Sequence, residues 1–198
     1  MTVGTGVDTS SDLRESPVGR HRFTVTEYLL MSAIGLFGQE ARVELIEGEV
    51  IDLAAKGEPH VRCLMRAIRL FTPHVTGDLW LAVQDPVRLD PRSQPEPDLL
   101  ICRVADPAGP SIPDAANTLV VAEVADSSLQ YDRATKVPLY GRAGIPEMWV
   151  VDLVNGRVER YREPSPAGYR LIVVAHRGES LHSTVLPELV LDADWLLA

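Results

Sequence analysis

The sequence has no run of apolar residues approaching the roughly 18 to 20 that a membrane-spanning helix needs, so no spanning helix is expected. Met1 to Arg22 are polar and carry no apolar segment of the kind that drives secretion, and the expected location is therefore the cytoplasm. Cysteine is scarce. Cys63 and Cys102 stand alone, without a Cys-x-x-Cys or Cys/His spacing, which argues against a disulfide framework and against a zinc site. Positive charge is in deficit: the formal net charge is −9. A protein that holds nucleic acid by bulk potential draws its affinity from basic side chains, so any such contact here must be local. Lysine is nearly missing, since only Lys56 and Lys136 occur among 19 basic residues. There is no Gly-x-Ser-x-Gly elbow and no Walker loop, and Gly4-Thr-Gly6 lies in a polar stretch without the strand-to-helix context of a dinucleotide fingerprint.

What is present is ample apolar content, 45% of the chain, enough for one sizeable core. Residues 1–20 are rich in Gly, Ser, Thr and Asp with no periodic pattern, and read as a disordered leader before a domain spanning 21–198. Thr24 and Glu27 have the spacing of a capping box, ahead of a first helix with Tyr28, Leu29, Met31, Ile34 and Leu36 on its apolar side. Arg42 to Leu53 reads as a hairpin turning at Glu47-Gly48. From Pro59 to about Val75 an amphipathic helix is expected, with Val61, Leu64, Met65, Ile68 and Phe71 on one side and Arg62, Arg66 and Arg69 on another. Strands are expected at 79–84, 86–90 and 98–103, then a loop at 105–116 and a central strand at 119–125. A helix follows over about 132–142. Pro138 places the start of its regular part near Thr135, so that the proline falls in the first turn. Strands at 147–154, 157–161 and 169–175 and a short amphipathic end around Trp195 complete the expected order.

Glu123 is the most informative residue. It lies inside Leu119-Val-Val-Ala-Glu-Val-Ala125, with apolar neighbours on both faces of the strand. An ionised carboxylate buried alone costs several kcal/mol, so such a group is paired, protonated or bound to a metal. A structural salt bridge to an arginine satisfies the first option. Asp98 opens the preceding apolar strand after Pro97; read alone it is a turn residue, but adjacent strands would bring it beside Glu123. One or two carboxylates plus waters suit a hard divalent cation. Lys136 lies on the helix that follows the Glu123 strand, with Asp132 and Tyr140 at helical spacing. An ammonium there could orient an attacking water and stabilise charge on a phosphoryl oxygen, or simply pair with Asp132.

Val43-Glu-Leu-Ile-Glu-Gly-Glu49, His60, Pro95-Glu-Pro-Asp-Leu99, Val121-Ala-Glu-Val124, Asp132-Arg-Ala-Thr-Lys136, Leu139-Tyr140 and Gly144-Ile-Pro-Glu-Met-Trp-Val-Val-Asp152 together resemble the Uma-two family. That is a family of predicted endonucleases within the PD-(D/E)XK restriction-endonuclease-like superfamily. The resemblance covers most of residues 23–195. It implies an α/β restriction-endonuclease-like core, a mixed central sheet flanked by helices, and Mg2+ (or Mn2+) held by Asp98 and Glu123. The superfamily lysine two residues after the Glu is Ala125 here; the family carries a lysine on the next helix instead, which maps to Lys136. Glu44 matches the first Glu of the hairpin motif, as a further carboxylate near the metal or as a structural ion pair. DNA is the implied substrate, and a homodimer is an open expectation. The arginine stripe Arg62, Arg66 and Arg69 is a candidate phosphate-backbone contact or a solvated helix side. His60 and Gln84 are weaker candidates. The rival reading is an inactive module of the same fold that binds nucleic acid or a protein partner.

Overall fold

The computed structural model describes residues 19–38, 40–104 and 112–198. The expected leader lies outside these, except for its last two residues, and so does the 105–111 part of the expected loop.

Thr24 caps α1 (Val25–Ala33): Thr24 Oγ1 accepts from the Glu27 N–H at 3.2 Å, and Glu27 Oε2 accepts from the Thr24 N–H at 2.8 Å. This is the expected capping box. The helix is shorter than expected. Gly35 at φ 73° turns the chain, and Leu36 N–H bonds back to Met31 O, a glycine stop that leaves Ile34 and Leu36 beyond the helix and exposed. β1 (Val43–Ile46) and β2 (Glu49–Asp52) form the expected hairpin. Glu47 and Gly48 both have positive φ, which matches the right-handed twist of the flanking strands.

α2 (Glu58–Phe71) buries His60, Cys63, Leu64, Ala67 and Phe71, an i, i+3, i+4, i+7, i+11 stripe. The buried side is therefore rotated from the expected one: Val61 and Met65 are exposed, because hydropathy alone did not count His60, Cys63 and Ala67 as facing inward. A 3-10 turn, Thr72–His74, ends this helix. β3 (Leu79–Val83) and β4 (Leu99–Arg103) follow. The strand expected at 86–90 does not form; the segment makes only isolated bridges, Arg88 with Asp114 and Asp90 with Ser93. Pro86 and Pro91 bracket it and withhold ladder donors.

β5 (Thr118–Ala125) pairs antiparallel with β4 and leads into a crossover made of α3 (Leu129–Tyr131), a π-turn (Asp132–Lys136) and α4 (Val137–Arg142). The regular helix begins late and holds Pro138 in its first turn, as expected, but the preceding turn is helical too. Val137 N–H bonds to Asp132 O, five residues back. Pro138 has no N–H to give the usual carbonyl, and the wider turn keeps the chain helical through that gap. β6 (Glu147–Asp152) then runs parallel to β5, and β7 (Arg157–Ser165) and β8 (Gly168–His176) continue antiparallel. β9 (Ser180–His182), β10 (Val190–Asp192) and α5 (Ala193–Leu197) close the chain.

The central sheet has the order β3-β4-β5-β6-β7-β8, with β5–β6 its one parallel junction. One face packs Leu99, Ile101, Val120, Ala122, Val124 and Trp149 against α2 and α5. The other packs Leu100, Val121, Ala125, Met148 and Val150 against Val137 and Tyr140 of α4. Because strand side chains alternate, Asp98 and Glu123 fall on the α4 face, at one end of the sheet. α4 lies tightly on the β7–β8 turn: a Cβ at Gly141 would sit 2.5 Å from the Gly168 carbonyl carbon. Both groups are backbone, so neither can rotate away. Gly141→Ala is expected to destabilise by about 2–3 kcal/mol, a fall of roughly 4–12 °C in a thermal melt; a melt within a degree of wild type would show that this contact yields freely.

Candidate active site

Asp98, just ahead of β4, and Glu123 on β5 are buried at 4% and 3% exposure. Antiparallel pairing of Leu99 with Ala122 brings them to neighbouring positions, and Val124 N–H donates to Asp98 Oδ2 at 2.9 Å. Asp98 Oδ1 holds Lys56 Nζ at 2.6 Å and His60 Nε2 at 3.1 Å. Lys136 Nζ lies 3.1 Å from Glu123 Oε1 and 3.2 Å from Glu44 Oε2, bridging β5 to the β1–β2 hairpin. Tyr140 Oη also donates to Glu123 Oε1, at 3.0 Å. Glu44 accepts from Tyr131 Oη at 2.9 Å and from Glu96 N–H at 3.0 Å. Asp132 is buried and accepts from Ser128 Oγ at 2.6 Å.

The structure thus brings Asp98, Glu123 and Lys136 around one cleft of about 70 Å3, which Lys56, His60, Asp126, Ser128, Tyr131 and Asp132 also line; Glu44 does not line it and joins the group through its ion pair with Lys136. It does not bring the arginine stripe there. Arg62 pairs with Glu58 along the helix, and Arg69 lies over the Trp195 ring; Arg42 is the arginine that lines the cleft. Gln84 touches Asp98 through the backbone, its N–H donating to Asp98 O from a positive-φ position.

Burial sets the electrostatics. It pushes the Glu123 carboxyl up to about 8 against the pull of Lys136, and Asp132 up to about 6 against Lys136 and Ser128. Burial acts the same way on Asp98, but the hydrogen bonds and charges of His60 and Lys56 outweigh it and hold that carboxyl below the usual range. Burial works against the Lys136 ammonium, yet Glu123, Glu44 and Asp132 together hold its pKa above the ordinary lysine value. The clustered acids and Lys136 therefore titrate as a coupled group, with proton affinity raised on the Glu123 side.

The donor set suits a hard divalent ion, which takes oxygen ligands and retains waters. Glu123 Oε2 and Asp132 Oδ1 have no hydrogen-bond partner among the described residues. Among those residues no three His, Cys, Asp or Glu side chains already converge as a metal cage, and at Asp98 both Lys56 and His60 hold Oδ1. Asp98 and Glu123, with Asp132 beside them, are the groups that would hold such an ion.

Sequence reasoning gives Lys56 no role, sets Asp132 and Tyr140 beside Lys136 on one helix side without a part in the site, and leaves His60 a weaker candidate. Lysine scarcity was the available signal. Both lysines of the chain lie at this one cleft.

A mixed sheet with carboxylates at the ends of two adjacent antiparallel strands, and a lysine delivered from the crossover on the same face, defines a restriction-endonuclease-like fold. The sequence carries the more particular assignment. The chain belongs to the Uma2 family, whose model, described as "Putative restriction endonuclease", matches residues 25–194. A solved structure from Anabaena variabilis, described as "a putative nuclease belonging to DUF820", aligns with a TM-score of 0.68 at 16% identity, over 88% of this chain and 97% of that one. At that identity the likeness is one of fold. A comparison with curated proteins gives no match.

Proposed function

We propose that this chain is a metal-dependent nuclease that hydrolyses phosphodiester bonds in DNA. The observation that carries this reading is the convergence of Asp98, Glu123 and Lys136 on one cleft, with Glu44 paired to Lys136, in a chain of the Uma2 family. Asp98 and Glu123 would hold Mg2+ or Mn2+. Such an ion, when bound, supplies Lewis acidity toward a phosphoryl oxygen and a more acidic water. Lys136 donates from Nζ toward the cleft and opposes negative charge developing there. Glu44 and Tyr140 fix Lys136 and Glu123 in place, and Tyr131 fixes Glu44. Arg42 and Lys56 are the cations at the cleft able to meet a substrate phosphate. A cytoplasmic location fits this activity; among the described residues no helix is long and apolar enough to cross a membrane. In a homodimer, paired centres would turn a nick into a double-strand cut.

Purified protein should nick supercoiled plasmid DNA when Mg2+ or Mn2+ is supplied and stop when EDTA is added. Nicking that ignores both additions, or none under any divalent ion, would sink the proposal. A net charge of −9 and an arginine stripe directed away from the cleft favour the rival, a non-catalytic module of the same fold. Carboxylate-dependent Mn2+ binding separates the two, since an inactive module has no chemical need of it.

A further inference from the structure

Lysine is used twice in this chain, against seventeen arginines, and the two positions differ in their surroundings. Lys136 is held by the crossover, 4% exposed, between Glu123 and Glu44. Lys56 lies in the coil between β2 and α2. Its side chain is 20% exposed at the lip of the cleft, and among the described residues its one ion-pair partner is Asp98 Oδ1, at 2.6 Å. His60, which contacts the same oxygen, has a side chain only 8% exposed and is fixed by α2. Of the two groups on Asp98 Oδ1, Lys56 is therefore the one with somewhere to go.

The chemistry of the residue points the same way. An ammonium is a compact charge on a flexible four-carbon stem, whereas an arginine fork would grip a carboxylate at two points. Lys56 neutralises a carboxylate that a divalent ion would otherwise neutralise, and it does so at an oxygen such an ion would need. Two cations cannot share that oxygen at contact distance without strong repulsion.

We propose that Lys56 is a displaceable counter-cation of the metal site. Its ammonium neutralises Asp98 in the ion-free chain, and uptake of the divalent ion is an exchange in which that ammonium leaves Asp98. This inference rests on the reading of Asp98 and Glu123 as ion-holding residues. It adds a consequence that reading lacks: affinity for the ion is set partly by a residue that does not bind it.

The scarcity of lysine makes the exchange directly observable. In full-length protein carrying 15N only in lysine, Lys56 and Lys136 are the sole sources of side-chain ammonium signals, and Lys56→Gln identifies which is which. Addition of diamagnetic Mg2+ should shift or erase the Lys56 signal through loss of its partner and faster exchange with water, and should leave the Lys136 signal observable, because Lys136 keeps Glu44 as its partner. Calorimetric titration with Mn2+ should show Lys56→Gln binding on the order of tenfold more tightly than wild type, with Lys56→Arg, which keeps the charge, no tighter than wild type. Thermal melts confirm that both variants fold. A Lys56 signal unmoved at saturating Mg2+, or Mn2+ affinity equal in wild type and Lys56→Gln, overturns the exchange while leaving the ion site standing. Absence of Mn2+ binding in all three chains overturns both.

Discussion

Glu123→Ala should eliminate metal-dependent nicking, with a loss on the order of a thousandfold, and should do so in a protein that still folds. The variant removes a carboxylate that burial already raises to about 8, so the fold loses a group that is costly to desolvate. Lys136 keeps Glu44 as its ion partner at 3.2 Å. Tyr140 Oη loses its acceptor, which sets the destabilisation at about 1–3 kcal/mol. The expected signature is thus lost activity and lost Mn2+ binding with a melting temperature lowered by several degrees only. Wild-type nicking by Glu123→Ala would place the activity in another site or a contaminant, and full Mn2+ affinity in the variant would remove Glu123 from the ion site.

Lys136→Ala should damage stability as well as activity. It strips the ammonium from between Glu123 and Glu44, both almost fully buried. Breaking one side of a buried ion pair costs about 3–5 kcal/mol where the remaining partner stays ionised, and less where it takes up a proton instead. The cost should depend on pH in a definite sense. Glu123 has a folded-state pKa raised above that of an unfolded carboxylate, and losing Lys136, which pulls it down, raises it further. A raised acid binds its proton more tightly in the folded chain, so its contribution is fully present below the unfolded value, near 4, and is lost as pH rises toward the folded one. Denaturation of the metal-free variant at pH 5 and pH 8 should therefore show the larger deficit, relative to wild type, at pH 8. A deficit of the same size at both values would mean that the ammonium is not what offsets these carboxylates.

Most of the element order was legible in the sequence, because capping, turn and strand signals are local. Thr24 and Glu27, and Glu47-Gly48, each act within a few residues. Asp98 and Glu123 were legible as candidates for a different reason, a charge set in an apolar strand. The failures came where the deciding partner is distant. Nothing near Val61 or Met65 says that α2 turns His60 and Cys63 inward; that follows from the sheet beneath it. Lys56 went unread because its partner is 42 residues away and its own neighbours are those of an ordinary coil. Pro138 announced a late regular helix, but not that the residues before it, Asp132 to Lys136, would form a π-turn.

The single parallel junction has a consequence for how the molecule comes to exist. An antiparallel neighbour can be reached by a tight turn, but β5 reaches β6 only through the crossover, and long-range pairings of this kind form late. Lys136 rides on that crossover, while Glu44 arrives from a hairpin 87 residues before Tyr131, its phenol partner. No fragment that ends before the crossover contains the ammonium, and no state with an undocked hairpin contains its second acid. The cleft is therefore assembled only once the crossover has been made and the hairpin has docked. A chain cut before the crossover, or one with the hairpin undocked, carries the acidic residues without Lys136 held between Glu44 and Glu123.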